Sequence, residues 1–146
     1  MLRLKNQLID KIMFITANFV NLAIAILFIF RLYGYSRAEH LIGILVISMI
    51  IPITLGVVNN IQRKRGLWNI VLPMFLIIFL IVELLLDYIL KVNFRNTMLL
   101  WPYILIYYIG LNGMIGYNFI TKKKYGFITL ITYFFNLLVT MLFHIT

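Results

Sequence analysis

Glu83 and Asp87 stand four residues apart in a stretch that is otherwise free of charge from Gly66 to Leu90. On a helix that spacing puts both carboxyl groups on one face, about one turn from each other. An ionised carboxylate at mid-membrane depth costs about 2.5–3.5 kcal/mol on translocon-based scales, so each acid has to be neutralised, paired or turned toward a wet cavity. Lys91 and Arg95 continue the four-residue spacing, and an acid placed four before a base is the favourable order for a helical ion pair. An Asp87–Lys91 pair therefore accounts for Asp87. Glu83 lies deeper, and its neighbours Phe79, Leu80 and Leu84 to Leu86 offer no partner. Held away from water, it is a candidate for reversible protonation.

Other chemistry-bearing residues gather toward the same end. Arg31, Arg37, Glu39 and His40 fall in the first link between apolar runs, Lys91 and Arg95 follow Asp87, and His144 lies at the end of the last apolar run. Two carboxylates with two imidazoles could hold a metal ion, and three arginines could grip a phosphate or carboxylate in fork geometry. The histidines lack ligand spacing, so no metal and no cofactor is assigned. Asn18, Asn21, Asn112 and Asn136 are uncharged polar groups near mid-membrane, suited to hydrogen bonds between helices and also to a polar lining beside Glu83. The candidate ligand- or ion-binding set is thus Glu83, Asp87, Arg31, Arg37, Arg95, His40 and Asn112, with no residue assigned to catalysis. There is no cysteine, which excludes disulfides, thiolate metal sites and cysteine nucleophiles. No phosphate-cradling loop, zinc-protease pair or nucleophile elbow is present.

Positioning these groups falls to long apolar segments. The chain of 146 residues is 64% apolar and 12% charged, with a mean hydropathy of +1.03, far outside the usage of soluble domains. About 20 helical residues cross a hydrocarbon core of about 30 Å, and five runs meet that length near 12–30, 41–60, 67–90, 97–120 and 127–145. The expected fold is all-α, an integral membrane bundle of about five transmembrane helices forming a single domain over 1–146. Ala23-Ile24-Ala25 resembles the end of a secretory signal, but Ile26 to Phe30 continue the apolar run, so the first segment is kept as a span. Short links at Arg31–His40, Ile61–Gly66 and Thr121–Gly126 make successive spans antiparallel neighbours.

Basic residues divide unequally between the two sides. One side carries Arg3, Lys5, Lys11, Arg63 to Arg65 and Lys122 to Lys124, while the other carries Arg31, Arg37, Lys91 and Arg95. Cytoplasmic loops hold the excess of Lys and Arg, so the N-terminus is expected inside and the C-terminus outside a cell membrane. Trp68, Tyr117 and Tyr125 then fall near the inner interface, and Tyr33, Tyr35, Tyr88, Trp101 and Tyr103 near the outer one. The basic clusters flank spans and form no continuous groove, which argues against nucleic acid as a partner. They suit anionic lipid on the inner side.

Helices in lipid associate through close packing and polar contacts. Ala17, Asn21 and Ala25 on the first span, Ser48, Pro52, Gly56 and Asn60 on the second, and Gly110, Gly113 and Gly116 on the fourth form such stripes. Pro52 is expected to bend its helix and free the carbonyl near Ser48, whereas Pro102 and Pro73 suit first turns. Three functions are compatible with these features. The first is binding or transport of a small molecule or ion through an outward-opening polar site around Glu83 and Asp87, in a homo-oligomer or with a larger membrane partner. The second is an accessory or immunity-type subunit acting through helix packing. The third is a membrane-embedded enzyme acting on a lipid headgroup.

Overall fold

A computed structural model describes residues 6–145, with the side chains of 144 and 145 left out. Arg3, Lys5 and the His144 side chain therefore lie outside the described residues. Among those described the fold is all-α with no strand: α1 (Asn6–Leu32), α2 (Ser36–Ser48), α3 (Ile50–Gln62), α4 (Trp68–Glu83), α5 (Leu100–Thr121) and α6 (Lys123–Ile145). Five helical stretches, Asn6–Leu32, Ser36–Gln62, Trp68–Ile89, Leu100–Thr121 and Lys123–Phe143, are long and apolar enough to cross a membrane. Large apolar side chains such as Leu45, Ile51, Leu55, Leu105 and Ile131 cover their outer faces, a surface that points to a multi-pass membrane protein.

The first and last links are tighter than the residue pattern predicts. Only Tyr33, Gly34 and Tyr35 separate α1 from α2, with Gly34 at φ 77 making the turn. Lys122 alone, in an extended conformation, separates α5 from α6. A short 3-10 turn at Phe94–Asn96 delays α5 to Leu100. Each spanning stretch packs on its chain neighbours and α6 returns to α1, closing a ring that α1 and α5 also touch across. Met13, Val20, Leu76, Leu80, Leu111 and Met114 fill the middle.

The three prolines have separate local consequences. The second span breaks at Met49, between α2 and α3, because the Pro52 ring supplies no N–H to the Ser48 carbonyl. Pro102 sits in the first turn of α5. Pro73 departs from expectation, since α4 already begins at Trp68 and the proline lies inside it. The Asn69 carbonyl loses its helical donor there and accepts a bond of 3.1 Å from the Asn60 amide instead.

The small-residue stripes pack within the bundle. A Cβ on Gly113 would stand 2.5 Å from the Leu72 carbonyl oxygen, and one on Gly110 would stand 3.2 Å from the Leu76 Cα. Gly56 is pressed by Met13. Asn18 donates to Thr129 and accepts from Thr132, while Asn21 donates to Thr132, so α1 and α6 are joined by amides and hydroxyls. Asn136 is likewise buried and donates to the Tyr107 hydroxyl at 2.9 Å.

Candidate functional site

α4 changes character where it carries its acids. Beyond Glu83 the backbone widens into a π-helical turn, Leu84–Ile89, closed by the Leu90 N–H on the Leu85 carbonyl at 2.8 Å. Lys91 then leaves the helix at φ 51. Asp87 and Lys91 consequently do not share a helical face, and the expected pair between them does not form. Arg95, brought back by the 3-10 turn, takes its place with two parallel bonds to the Asp87 carboxylate at 2.9 and 2.8 Å. Those bonds hold the Arg95 guanidinium above its ordinary range, and the fork fixes orientation as well as charge.

Arg31, in the last turn of α1, pairs with Glu39 of α2 at 2.6 Å. Its guanidinium also lies 5.2 Å from the centre of the Phe28 ring and 5.9 Å from that of Phe143. Glu83 differs from the other three acids of the chain. Asp10, Glu39 and Asp87 each stand in an ion pair, while the Glu83 carboxylate accepts a hydrogen bond from the Tyr103 hydroxyl of α5. The Tyr103 hydroxyl is thereby turned toward that acid, and its ring packs on Phe79 and Phe94.

Two cavities meet at these residues. A vestibule of about 240 Å³ is bordered by Arg31, Glu39, His40, Glu83, Asp87, Tyr88 and Arg95. A chamber of about 280 Å³ runs inward from Arg31, Glu83 and Arg95, which border both, to Phe28, Phe79, Tyr103, Tyr107, Tyr108 and Thr140. The arrangement is a charged mouth over an aromatic chamber. Of the residues singled out from sequence, Glu83, Asp87, Arg31, Arg95 and His40 come together around it. Arg37 is exposed at the start of α2 and borders neither cavity. Asn112 is exposed on α5, where its amide donates to the Tyr108 carbonyl at 2.8 Å and toward the Tyr133 hydroxyl at 3.4 Å. Among the described residues no three histidine or acidic side chains converge as a metal cage would require.

The opposite end of the bundle holds a second polar cluster that spacing did not reveal. Arg65 reaches from the α3–α4 link to Asp10 of α1 with bonds of 2.6 and 3.2 Å, and to the Asn60 side-chain oxygen at 3.1 Å. The Tyr117 hydroxyl of α5 donates to Asp10, and Asn60 donates to Tyr117, both at 3.1 Å. Tyr117 is fully buried, so it belongs to this cluster and not to an interfacial belt. Burial opposes the Arg65 charge, but hydrogen bonding and charge attraction to Asp10 and Tyr117 together outweigh it and raise the guanidinium's proton affinity. A lone acid ahead of an apolar run was the available signal, masked by the basic residues around it.

Set beside known protein families, curated proteins and solved structures, the chain matches none.

Proposed function

We propose that this is a multi-pass protein of the cell membrane, N-terminus inside and C-terminus outside, that binds and transports a small molecule or ion through the site around Glu83 and Asp87. One observation carries the reading: the one acid without an ion pair lies where a charged vestibule narrows into an apolar chamber. An ionisable group kept inside a membrane bundle beside a cavity marks a pathway or binding site. The unequal division of Lys and Arg supports the orientation and places the mouth outside. The inner clusters Arg63 to Arg65 and Lys122 to Lys124 suit anionic lipid, and a homo-oligomer or larger partner would suit so small a bundle.

The rival readings fit less well. A lipid-headgroup enzyme needs a second unpaired acid or a free arginine at the cavity, and there Asp87 with Arg95 and Glu39 with Arg31 already satisfy each other, while Arg37 borders neither cavity. An accessory subunit needs unspent packing stripes, whereas Gly56, Gly110 and Gly113 press against other helices of the same chain. The test is infrared difference spectroscopy on the full chain in nanodiscs, with Glu83→Gln identifying the Glu83 carboxyl band. Sodium, benzyltrimethylammonium and octyl phosphate are added in turn. The Glu83 band is expected to shift with at least one of them; a band indifferent to all three would leave the chain a purely structural bundle.

A further inference from the structure

We infer that the ligand is a small monovalent organic cation, an ammonium with an apolar or aromatic substituent, whose charge pairs with Glu83 while its carbon body fills the aromatic chamber. This rests on the binding function proposed above and names its substrate class.

Charge bookkeeping at the mouth decides the sign. Two arginines face three acids there, and each arginine is already matched by its own carboxylate, Arg31 by Glu39 and Arg95 by Asp87. Glu83 has no base of its own: it accepts from a neutral phenol and stands beside the Asp87 carboxyl. An incoming anion would have to separate an arginine from its acid and sit beside the Glu83 carboxylate. A cation meets the surplus acid and displaces nothing charged.

The walls decide the kind of cation. A hard metal ion gives up its water only for about six or more oxygens, and the chamber offers one carboxylate and a few hydroxyls among rings and aliphatic groups. An organic ammonium holds its water loosely and is attracted to aromatic faces. Phe79, Tyr103, Tyr107 and Tyr108 supply those faces, and Phe28 with Phe143 already accommodates the Arg31 guanidinium in this way. At about 280 Å³ the chamber stands at the small end of ligand pockets, which suits a ligand of one ring or a short chain.

Calorimetric titration of the full chain in nanodiscs tests this with three probes of nearly one shape. These are benzyltrimethylammonium, its neutral carbon isostere neopentylbenzene, and the anion phenyl phosphate. Benzyltrimethylammonium is expected to bind at least tenfold more tightly than either of the others. Glu83→Gln is expected to weaken the cation at least tenfold while leaving the neutral isostere within twofold, which also shows that the variant is folded. Tyr108→Leu, on the half-buried wall, keeps apolar volume without a π face and is expected to weaken the cation more than the isostere. Equal binding of cation and isostere, or tighter binding of the phosphate, overturns the cation assignment while the binding site stands. Sodium displacing benzyltrimethylammonium from the wild type overturns it in the same way, in favour of an inorganic ion. If no probe binds and the infrared band of Glu83 is also silent, both readings fall.

Discussion

Two carboxylates near opposite ends of the bundle are handled in opposite ways. Asp10 is given every partner it can use: the Arg65 fork and the Tyr117 hydroxyl, with Asn60 bridging behind them. Glu83 is given a phenol and a cavity. The first pattern is that of a structural lock, since removing one partner of a desolvated pair leaves the other charge uncompensated. Asp10→Ala and Arg65→Ala should each lower stability by about 2–3 kcal/mol, less than a fully buried pair because the side chains keep 15% and 16% of their exposure. The double variant should cost clearly less than the sum, as read from denaturation midpoints in detergent; strict additivity would show that the pair contributes nothing. Glu83 was legible from sequence because an acid at that depth demands an explanation, whatever surrounds it. Its partner Tyr103 was not, because a tyrosine near a span end has an ordinary interfacial role and only the fold brings it opposite the acid.

Proline and glycine decide how the elements meet, and their effects were readable in unequal measure. The Gly110–Gly113–Gly116 series announced a close helix contact by spacing alone, and α4 lies against it. The ends of α4 were harder. Its last residues widen into a π-helical turn, so a four-residue spacing counted along a regular helix assigned Asp87 to Lys91 and not to Arg95. Nothing local in Leu84 to Ile89 signals that widening. By sequence Pro73 suits a first turn, because an interior proline leaves a carbonyl without a donor, and sequence does not show that Asn60 supplies one. That substitution of a side-chain donor for a backbone one can be isolated. Asn60→Ala should destabilise the protein by about 1–3 kcal/mol, the cost of stranding buried polar groups. Pro73→Ala returns an N–H to the Asn69 carbonyl, so the same Asn60→Ala change should cost about 1 kcal/mol less in that background. An identical loss in both backgrounds would mean that Asn60 serves only Tyr117 and Arg65.

At the scale of the whole molecule, the polar groups divide the bundle into a closed end and an open one. The Asp10–Arg65–Tyr117 cluster ties α1, the α3–α4 link and α5 together, while at the other end two adjoining cavities share Arg31, Glu83 and Arg95 as walls. The number of helices long and apolar enough to cross a membrane followed from run length, because hydrocarbon thickness sets the length such a helix needs. The aromatic chamber behind Glu83 did not, because it depends on which side chains meet across the ring. Fast access from the open end and slower access from the closed one are therefore expected, and the chain has no cysteine to confuse its measurement. His40→Cys, at the vestibule, and Thr140→Cys, on the chamber wall, should react with a membrane-impermeant thiol reagent applied outside the cell. Lys123→Cys, exposed at the other end, should react only when the reagent reaches the cytoplasmic face of inverted vesicles. Benzyltrimethylammonium should slow labelling at Thr140→Cys more than at His40→Cys, because the chamber holds the ligand body and the vestibule stays wet. Thr140→Cys should also be labelled, more slowly, from the cytoplasmic face, because transport requires the polar lock to open in turn and expose the same site to both sides. No labelling from that face would reduce the protein to a receptor open to the outside alone.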